Sequence, residues 1–296
     1  MAETIGVIGL GVMGSAMAGH LVAAGFEIHG FDIDGDKATR FGEQGGIPEP
    51  SAVEVASRSG IVLFSLPTVE ALDRVAEEVA KGAHEGLIAV EMGTLPIEAK
   101  QRARALLAES GVELMDVPVS GTGLQAADAT LVVLASGSPE AFERTKPVFE
   151  VIGRSTHYLG EFGNGSVMKY ISNLLVAVHN LSTAEAHALG IAAGIDPETV
   201  QRVTSDGVGS SRIFEIRGPM MVEDEYLPAS ARLDIILKDA RIIKAFADGV
   251  GAPTPLLDAA IPVYEESAAA GLGDLDAAAL CRYLEQSAHL ERTANS

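Results

Sequence analysis

The chain has 296 residues, 47% of them hydrophobic and 21% charged, with a formal net charge of −20 and a single cysteine, Cys281. That length holds two ordinary domains, and the composition excludes a disordered chain. The acidic balance opposes binding to nucleic acid, whose phosphates need a basic footprint. The lone cysteine excludes an internal disulfide and suits a reducing compartment, the cytoplasm. No uncharged apolar run is long enough for a membrane span or a signal peptide, so no membrane association is expected.

Thr4 to Ile8 is a short apolar run suited to a buried strand. It leads into Gly9-Leu10-Gly11-Val12-Met13-Gly14 and then into apolar residues at helical spacing that stop at Gly25. A second apolar run, Phe26 to Phe31, ends in Asp32. Strand, GxGxxG, helix, strand and acid in this order form the pattern of a dinucleotide-binding unit. Gly9 permits the tight turn, Gly11 lets backbone approach a pyrophosphate, and Gly14 lets the helix pack closely. The helix N-terminus offers N–H groups and a positive dipole end. Asp32 is suited to the two ribose hydroxyls and would repel a 2′-phosphate. No arginine follows it immediately, so NAD is expected over NADP. The other reading of Asp32 is a loop-capping acid.

The alternation continues. Strands are expected over Ile61–Leu66, Leu87–Met92 and Val112–Val117, and helices over Glu70–Val79 and Ile97–Ser110. This predicts a doubly wound parallel sheet. Ligands sit outside the C-terminal ends of such strands, where Leu66, Pro67 and Thr94 fall as cofactor-facing candidates. Pro67 is equally well a plain strand terminator. The stretch Asp116-Val117-Pro118-Val119-Ser120-Gly121-Thr122-Gly123 contains a hydroxyl residue and glycine-rich backbone able to present N–H groups to a carboxylate, or it is an ordinary turn. Leu131–Ala135 and Thr156–Leu159 are expected as further strands of the same sheet.

Gly163 to Gly194 reads as one long helix between the domains, about 45 Å in length at ~1.5 Å per residue. Apolar residues recur on nearly every side, from Val167 to Leu189, so burial is expected all round. A narrow polar stripe crosses it: Lys169, Ser172, Asn173, Asn180, Thr183 and His187. A buried lysine is costly unless partnered or deprotonated, which makes Lys169 a candidate acid or base, with Asn173 one turn on to orient what it touches. Alternatively Lys169 extends to solvent and the stripe faces a wet cleft.

From Asp196 onward only helical patterns follow, including Arg232–Val250, Pro255–Ala270 and Asp276–His289. Lys238-Asp239 lies in an otherwise apolar stretch, either reaching toward a cleft or forming a surface pair. Phe214, Met220, Met221 and Tyr226 suit core packing better than a pocket, and Cys281 likewise suits packing. The tail Glu291–Ser296 is expected to fray. The organisation predicted is a Rossmann-type domain over residues 1–162, a connecting helix over 163–194 and an all-helical domain over 195–296. No metal site is expected.

Four motifs in this order resemble the β-hydroxyacid dehydrogenase family across essentially the whole chain. Gly9 to Gly14 resembles its cofactor loop, and Asp116 to Gly121 its substrate-binding motif. Gly163-Asn164-Gly165 through Lys169 to Asn173 resembles its catalytic motif, and Lys238-Asp239 a cofactor-side motif. The resemblance implies that Lys169 is catalytic and that Lys238 lies by the nicotinamide half of the cofactor. It further implies that Ser120, Gly121, Thr122 and Asn173 hold a small carboxylate-bearing substrate, and that the protein is a homodimer or homotetramer. Two positions depart from the family pattern: Thr122 and Ala129 stand where the family usually has glycine. The expected chemistry is hydride transfer between the hydroxyl-bearing carbon of a 3-hydroxy acid and NAD, with Lys169 as general acid/base. An imine or semialdehyde reductase, or a non-catalytic dinucleotide-binding module, are the alternatives.

Overall fold

In the computed structural model, which describes residues 3–290 and Arg292, the chain divides into two compact units, 1–169 and 170–296. The tail beyond 290, Arg292 apart, lies outside the described residues.

The first unit opens with β1 (Ile5–Ile8), α1 (Val12–Ala23), β2 (Ile28–Phe31), α2 (Gly35–Glu43), β3 (Ile47–Pro48) and α3 (Ala52–Arg58). It continues with β4 (Ile61–Phe64), α4 (Val69–Lys81), β5 (Ile88–Glu91), α5 (Ile97–Ala108) and β6 (Glu113–Asp116). These six strands form one parallel sheet in the order β3-β2-β1-β4-β5-β6. Side chains alternate across it with the period of two that a strand imposes. Ile61 and Leu63 join Met17, Leu21 and Phe149 on one face, while Val62 and Phe64 join Val55, Leu72 and Leu107 on the other. Because both faces are covered, the strands read as unbroken apolar runs. Side chains start several helices: Asp34 caps α2, Ser51 caps α3 and Thr68 caps α4, each accepting from a backbone N–H in the first turn.

The chain then forms β7 (Val119–Ser120), α6 (Gly123–Ala127), β8 (Leu131–Ala135), α7 (Pro139–Ile152) and β9 (Gly153–Tyr158). The expectation that Leu131–Ala135 and Thr156–Leu159 extend the main sheet is corrected here. With β7 they make a separate three-stranded sheet, β7 antiparallel and β9 parallel to β8. The physical reason is Pro118, which has no N–H to continue the β6 ladder. The chain turns there, and Leu134 N donates to Pro118 O over 3.0 Å, so that pairing passes to β8. A bridge from Asp116 to Ser136 is what joins the second sheet to the end of β6.

Next comes α8 (Asn164–Ala192), 29 residues without a break, as the absence of proline predicts. Its first turns belong to the first unit and the rest to the second. The second unit continues with α9 (Pro197–Asp206), α10 (Arg212–Glu223), α11 (Leu233–Gly249), α12 (Pro255–Ser267) and α13 (Leu280–Ser287). Asp196 caps α9 with Pro197 in the first turn. Phe214, Met221, Tyr226 and Cys281 are buried, in keeping with a packing role. The second unit also holds a buried polar knot. Asp276 accepts from Ser230, Ala231 and Ala278 and lies 3.3 Å from the Arg217 guanidinium.

The expectation that α8 is buried all round does not hold. Ile171, Leu175 and Leu189, which share one side of the helix, are exposed among the described residues. The polar stripe is instead turned inward. Asn180 donates to Tyr264 Oη and to Ala277 O, Thr183 donates to His179 O, and His187 lies 3.1 Å from Gln201 Oε1. These three close core packing, which leaves Lys169 and Asn173 as the chemically interesting members. No helix among the described residues is long and apolar enough to cross a membrane.

Candidate functional site

The glycine-rich turn joins β1 to α1. Gly9 has φ +92°, and a Cβ there would stand 2.2 Å from Ser65 O. A Cβ on Gly14 would stand 1.9 Å from Gly9 O, so these two glycines are demanded by the fold itself. Gly11 differs: a Cβ there meets nothing within 4 Å. The space over Gly11 and a helix start that no side chain caps are what a pyrophosphate requires, so the residues present fit a dinucleotide. Leu10 is buried, Met13 half-buried, and Val12 exposed at the first helical position.

Asp32 stands at the end of β2, beside β1. Its Oδ2 accepts from Leu10 N over 2.8 Å and its Oδ1 from Asp34 N over 2.9 Å. The carboxylate thus braces the glycine-rich turn and still has lone pairs for ribose hydroxyls. The residues next to Asp32 in the sequence do not reveal Lys37, which the first turn of α2 brings to 3.6 Å from Oδ1. Half-buried Leu66, exposed Pro67 and half-buried Thr94 follow the C-terminal ends of β4 and β5, the strands next in order after β1.

Ser120 ends β7, and Gly121 has φ +144° with Leu131 Cδ2 2.8 Å from where a Cβ would be. Thr122 is the N-cap of α6. Its N–H donates to Gln125 Oε1 over 2.8 Å and its hydroxyl to the same oxygen over 2.7 Å. Both donors of Thr122 are therefore engaged by Gln125, a residue the sequence does not single out. The signal was there in Thr122-Gly123-Leu124-Gln125, a capping box. Helix α6 leans on α1: His20 Nε2 lies 3.0 Å from Ala126 O and 2.9 Å from Ala127 O, tying the two glycine-rich turns together.

Lys169 lies within the first two turns of α8 and is 7% exposed. The start of the helix is held by a fully buried ion cluster that sequence reading missed, since its members come from three separate elements. Lys100 Nζ on α5 lies 2.5 Å from Glu91 Oε2, 2.8 Å from Asp116 Oδ1 and 2.8 Å from Gly93 O. Burial pushes the Glu91 carboxyl above the ordinary glutamate range against the pull of Lys100. Burial alone would lower the Lys100 ammonium, but the Asp116 and Glu91 carboxylates outweigh it and hold it above the usual lysine range.

In the second unit Asn173 is buried, and its Nδ2 donates to Asp239 Oδ2 over 2.7 Å. Asp239 Oδ1 is paired with Lys238 Nζ at 2.7 Å. The pair noticed in sequence is thus attached to Asn173, a link no spacing revealed, since the two lie 66 residues apart. Among the described residues no cluster of histidine, cysteine and acids could hold a metal ion.

A family model described as the NAD binding domain of 6-phosphogluconate dehydrogenase matches residues 4–160. A second, described as NAD-binding of NADP-dependent 3-hydroxyisobutyrate dehydrogenase, matches residues 163–284. An L-threonate dehydrogenase of Cupriavidus necator is 34% identical over 95% of this chain and 96% of its own length. The 2-hydroxy-3-oxopropionate reductase of Escherichia coli is 30% identical over 81% of this chain and 83% of its own. A Mycobacterium tuberculosis 3-hydroxyisobutyrate dehydrogenase, solved with L-serine, superposes with a TM-score of 0.88 at 27% identity, covering 96% of this chain and 99% of that one. The chain belongs to the β-hydroxyacid dehydrogenase family, oxidoreductases of hydroxy acids that use a nicotinamide dinucleotide.

Proposed function

We propose that the protein oxidises a short 3-hydroxy acid with NAD and that Lys169 is its general acid/base. The observation that carries this is the coexistence in one compact unit of a dinucleotide cradle open at Gly11 and a buried lysine, Lys169, on α8. Bound NAD would supply the hydride acceptor. Lys169 takes the hydroxyl proton as hydride leaves the same carbon, and returns it in the reverse direction. Such a group typically contributes ~10²–10⁴-fold. Asn173, held by Asp239, keeps its Oδ1 for a substrate donor. Ser120 and the Gly121 N–H hold the carboxylate, and Thr122 joins them once Gln125 swings aside. Gly9, Leu10, Gly11, Val12, Met13 and Gly14 hold the pyrophosphate, Asp32 the ribose, and Leu66, Pro67, Thr94 and Lys238 flank the rest of the cofactor.

NAD rather than NADP follows from Asp32, whose charge repels a 2′-phosphate even with Lys37 nearby. We further read the protein as a cytoplasmic homo-oligomer, with a second copy covering Ile171, Leu175 and Leu189.

The test is cofactor reduction across serine, 3-hydroxyisobutyrate, glycerate, threonate and phenylserine, each with NAD and with NADP, alongside Lys169→Ala. Turnover with NAD that the variant loses by ~10²-fold or more supports the reading. A variant that keeps most of the turnover rate sinks the role of Lys169.

A further inference from the structure

Glu91 and Asp116 are register partners at the C-terminal ends of neighbouring strands, so two carboxylates sit side by side in the dry interior of the sheet edge. Unscreened, they would repel. Lys100 bridges them, and its three ammonium contacts are Glu91, Asp116 and the Gly93 carbonyl, which opens the Gly93-Thr94 turn. One cation thus ties that turn to the end of β6.

Asp116 carries the tie onward. Its Oδ2 accepts from Ser166 N over 2.8 Å, and its Oδ1 accepts from Ser166 Oγ over 2.7 Å. Beside it, Ser136 Oγ accepts from Gly165 N over 3.0 Å. A Cβ on Gly165 would stand 2.4 Å from Leu134 O and 2.7 Å from Asp116 O, so the helix backbone lies against the strand ends with no slack. The first turn of α8 is held at two consecutive N–H groups and one hydroxyl, which sets both its height and its rotation about its axis. Lys169 is three residues beyond Ser166 and therefore on the same side of the helix. Whatever rotates Ser166 rotates Lys169.

Two acids and one lysine, all buried, are a poor way to gain stability, because well-packed apolar side chains of the same size do at least as well. What such a cluster does supply is a single defined geometry. We propose that Lys100, acting through Asp116 and Ser166, is a positioning residue that aims Lys169 at the reacting hydroxyl and keeps the Gly93-Thr94 turn in step with it. The inference rests on the reading of Lys169 as the acid/base.

The test uses the whole chain with NAD and the best substrate among serine, 3-hydroxyisobutyrate, glycerate, threonate and phenylserine, in the variants Ser166→Ala, Asp116→Asn, Lys100→Met and, as control, Lys169→Ala. Lys100→Met leaves two buried acids without a cation and is open to misfolding, so the first two variants carry the test. In both, NADH binding and the substrate KM should stay within about twofold. A displacement near 1 Å costs on the order of 10²-fold in rate, so kcat should fall about tenfold in Ser166→Ala and about a hundredfold in Asp116→Asn. The limb of the kcat–pH profile that Lys169→Ala abolishes should shift in both. A purely structural role would lower the melting temperature and leave that profile in place. Folded Ser166→Ala and Asp116→Asn proteins with unchanged kcat and an unchanged profile overturn the inference, provided Lys169→Ala has lost ~10²-fold or more of the turnover rate. If Lys169→Ala keeps most of the turnover rate, it is the underlying reading that fails.

Discussion

Asn173 Nδ2 donates to Asp239 Oδ2 over 2.7 Å, and the other oxygen of that carboxylate lies 2.7 Å from Lys238 Nζ. An ionised carboxylate only accepts, so it decides which end of the Asn173 amide faces it. The amide oxygen is thereby turned away and offered to a donor. Asp239→Asn gives the neighbour both a donor and an acceptor and removes that decision. The expected result is a loss of about tenfold in kcat/KM for the hydroxy acid, against about a hundredfold for Asn173→Ala, the range expected when a hydrogen bond involving a charged or buried partner is lost. Steady-state kinetics of the two variants check this, and an Asp239→Asn protein with unchanged kcat/KM would show that the amide needs no orienting.

Asp32 braces Leu10 N, and under the proposed preference for NAD its charge would also exclude a 2′-phosphate. Asp32→Ser should raise the NADP/NAD ratio of kcat/KM by about 10²-fold, since it removes a like charge and leaves Lys37 to meet the phosphate. Adding Lys37→Ala should reverse most of that gain. If the single variant changes both cofactors equally, Asp32 is a brace only.

Ala129 has φ +51°, the left-handed region that an L side chain other than asparagine or aspartate enters at a cost of roughly 1–2 kcal/mol. This accounts for one of the two departures from the family's glycines: the backbone keeps the glycine conformation although the residue has changed. Ala129→Gly should stabilise the protein by about 0.5–1 kcal/mol after the extra freedom of the unfolded chain is subtracted. Thermal unfolding should show a rise of about 1–3 °C, and a fall would mean that the Ala129 methyl packs usefully.

His187 is fully buried, stacks on Phe214 with ring centroids 5.5 Å apart, and is held neutral because burial lowers its pKa. A base whose folded pKa lies below its unfolded value contributes stability that is present above the unfolded value. That stability is lost as the pH falls through the unfolded value toward the folded one. The protein should therefore lose melting temperature between pH 7 and pH 5, and His187→Gln, which cannot titrate, should lose less over the same range. Parallel slopes for the two proteins would assign acid sensitivity to another group.

By itself the sequence determined the alternation of strand and helix, the β1–α1 cradle with Asp32 at its end, and the unbroken α8 carrying Lys169 and Asn173. Those features are local: periodicity, turn glycines, and an acid at a set distance from a glycine motif are all written within about thirty residues of one another. The strands are shorter by a residue or two than the apolar runs, because residues just past the strand ends, such as Leu66 and Val117, remain apolar. What only the tertiary structure decided are the pairings across long separations. Lys100 meets Glu91 and Asp116 because β5 and β6 lie side by side. Asp116 reaches Ser166 because Pro118 turns the chain aside and lets α8 begin against the end of β6, and Asp239 meets Asn173 because α11 packs in the same unit as α8. Each brings charged or polar groups into a dry interior, where an unmatched partner is costly. Folding selects such matches between elements, and no single stretch of chain contains both halves of them.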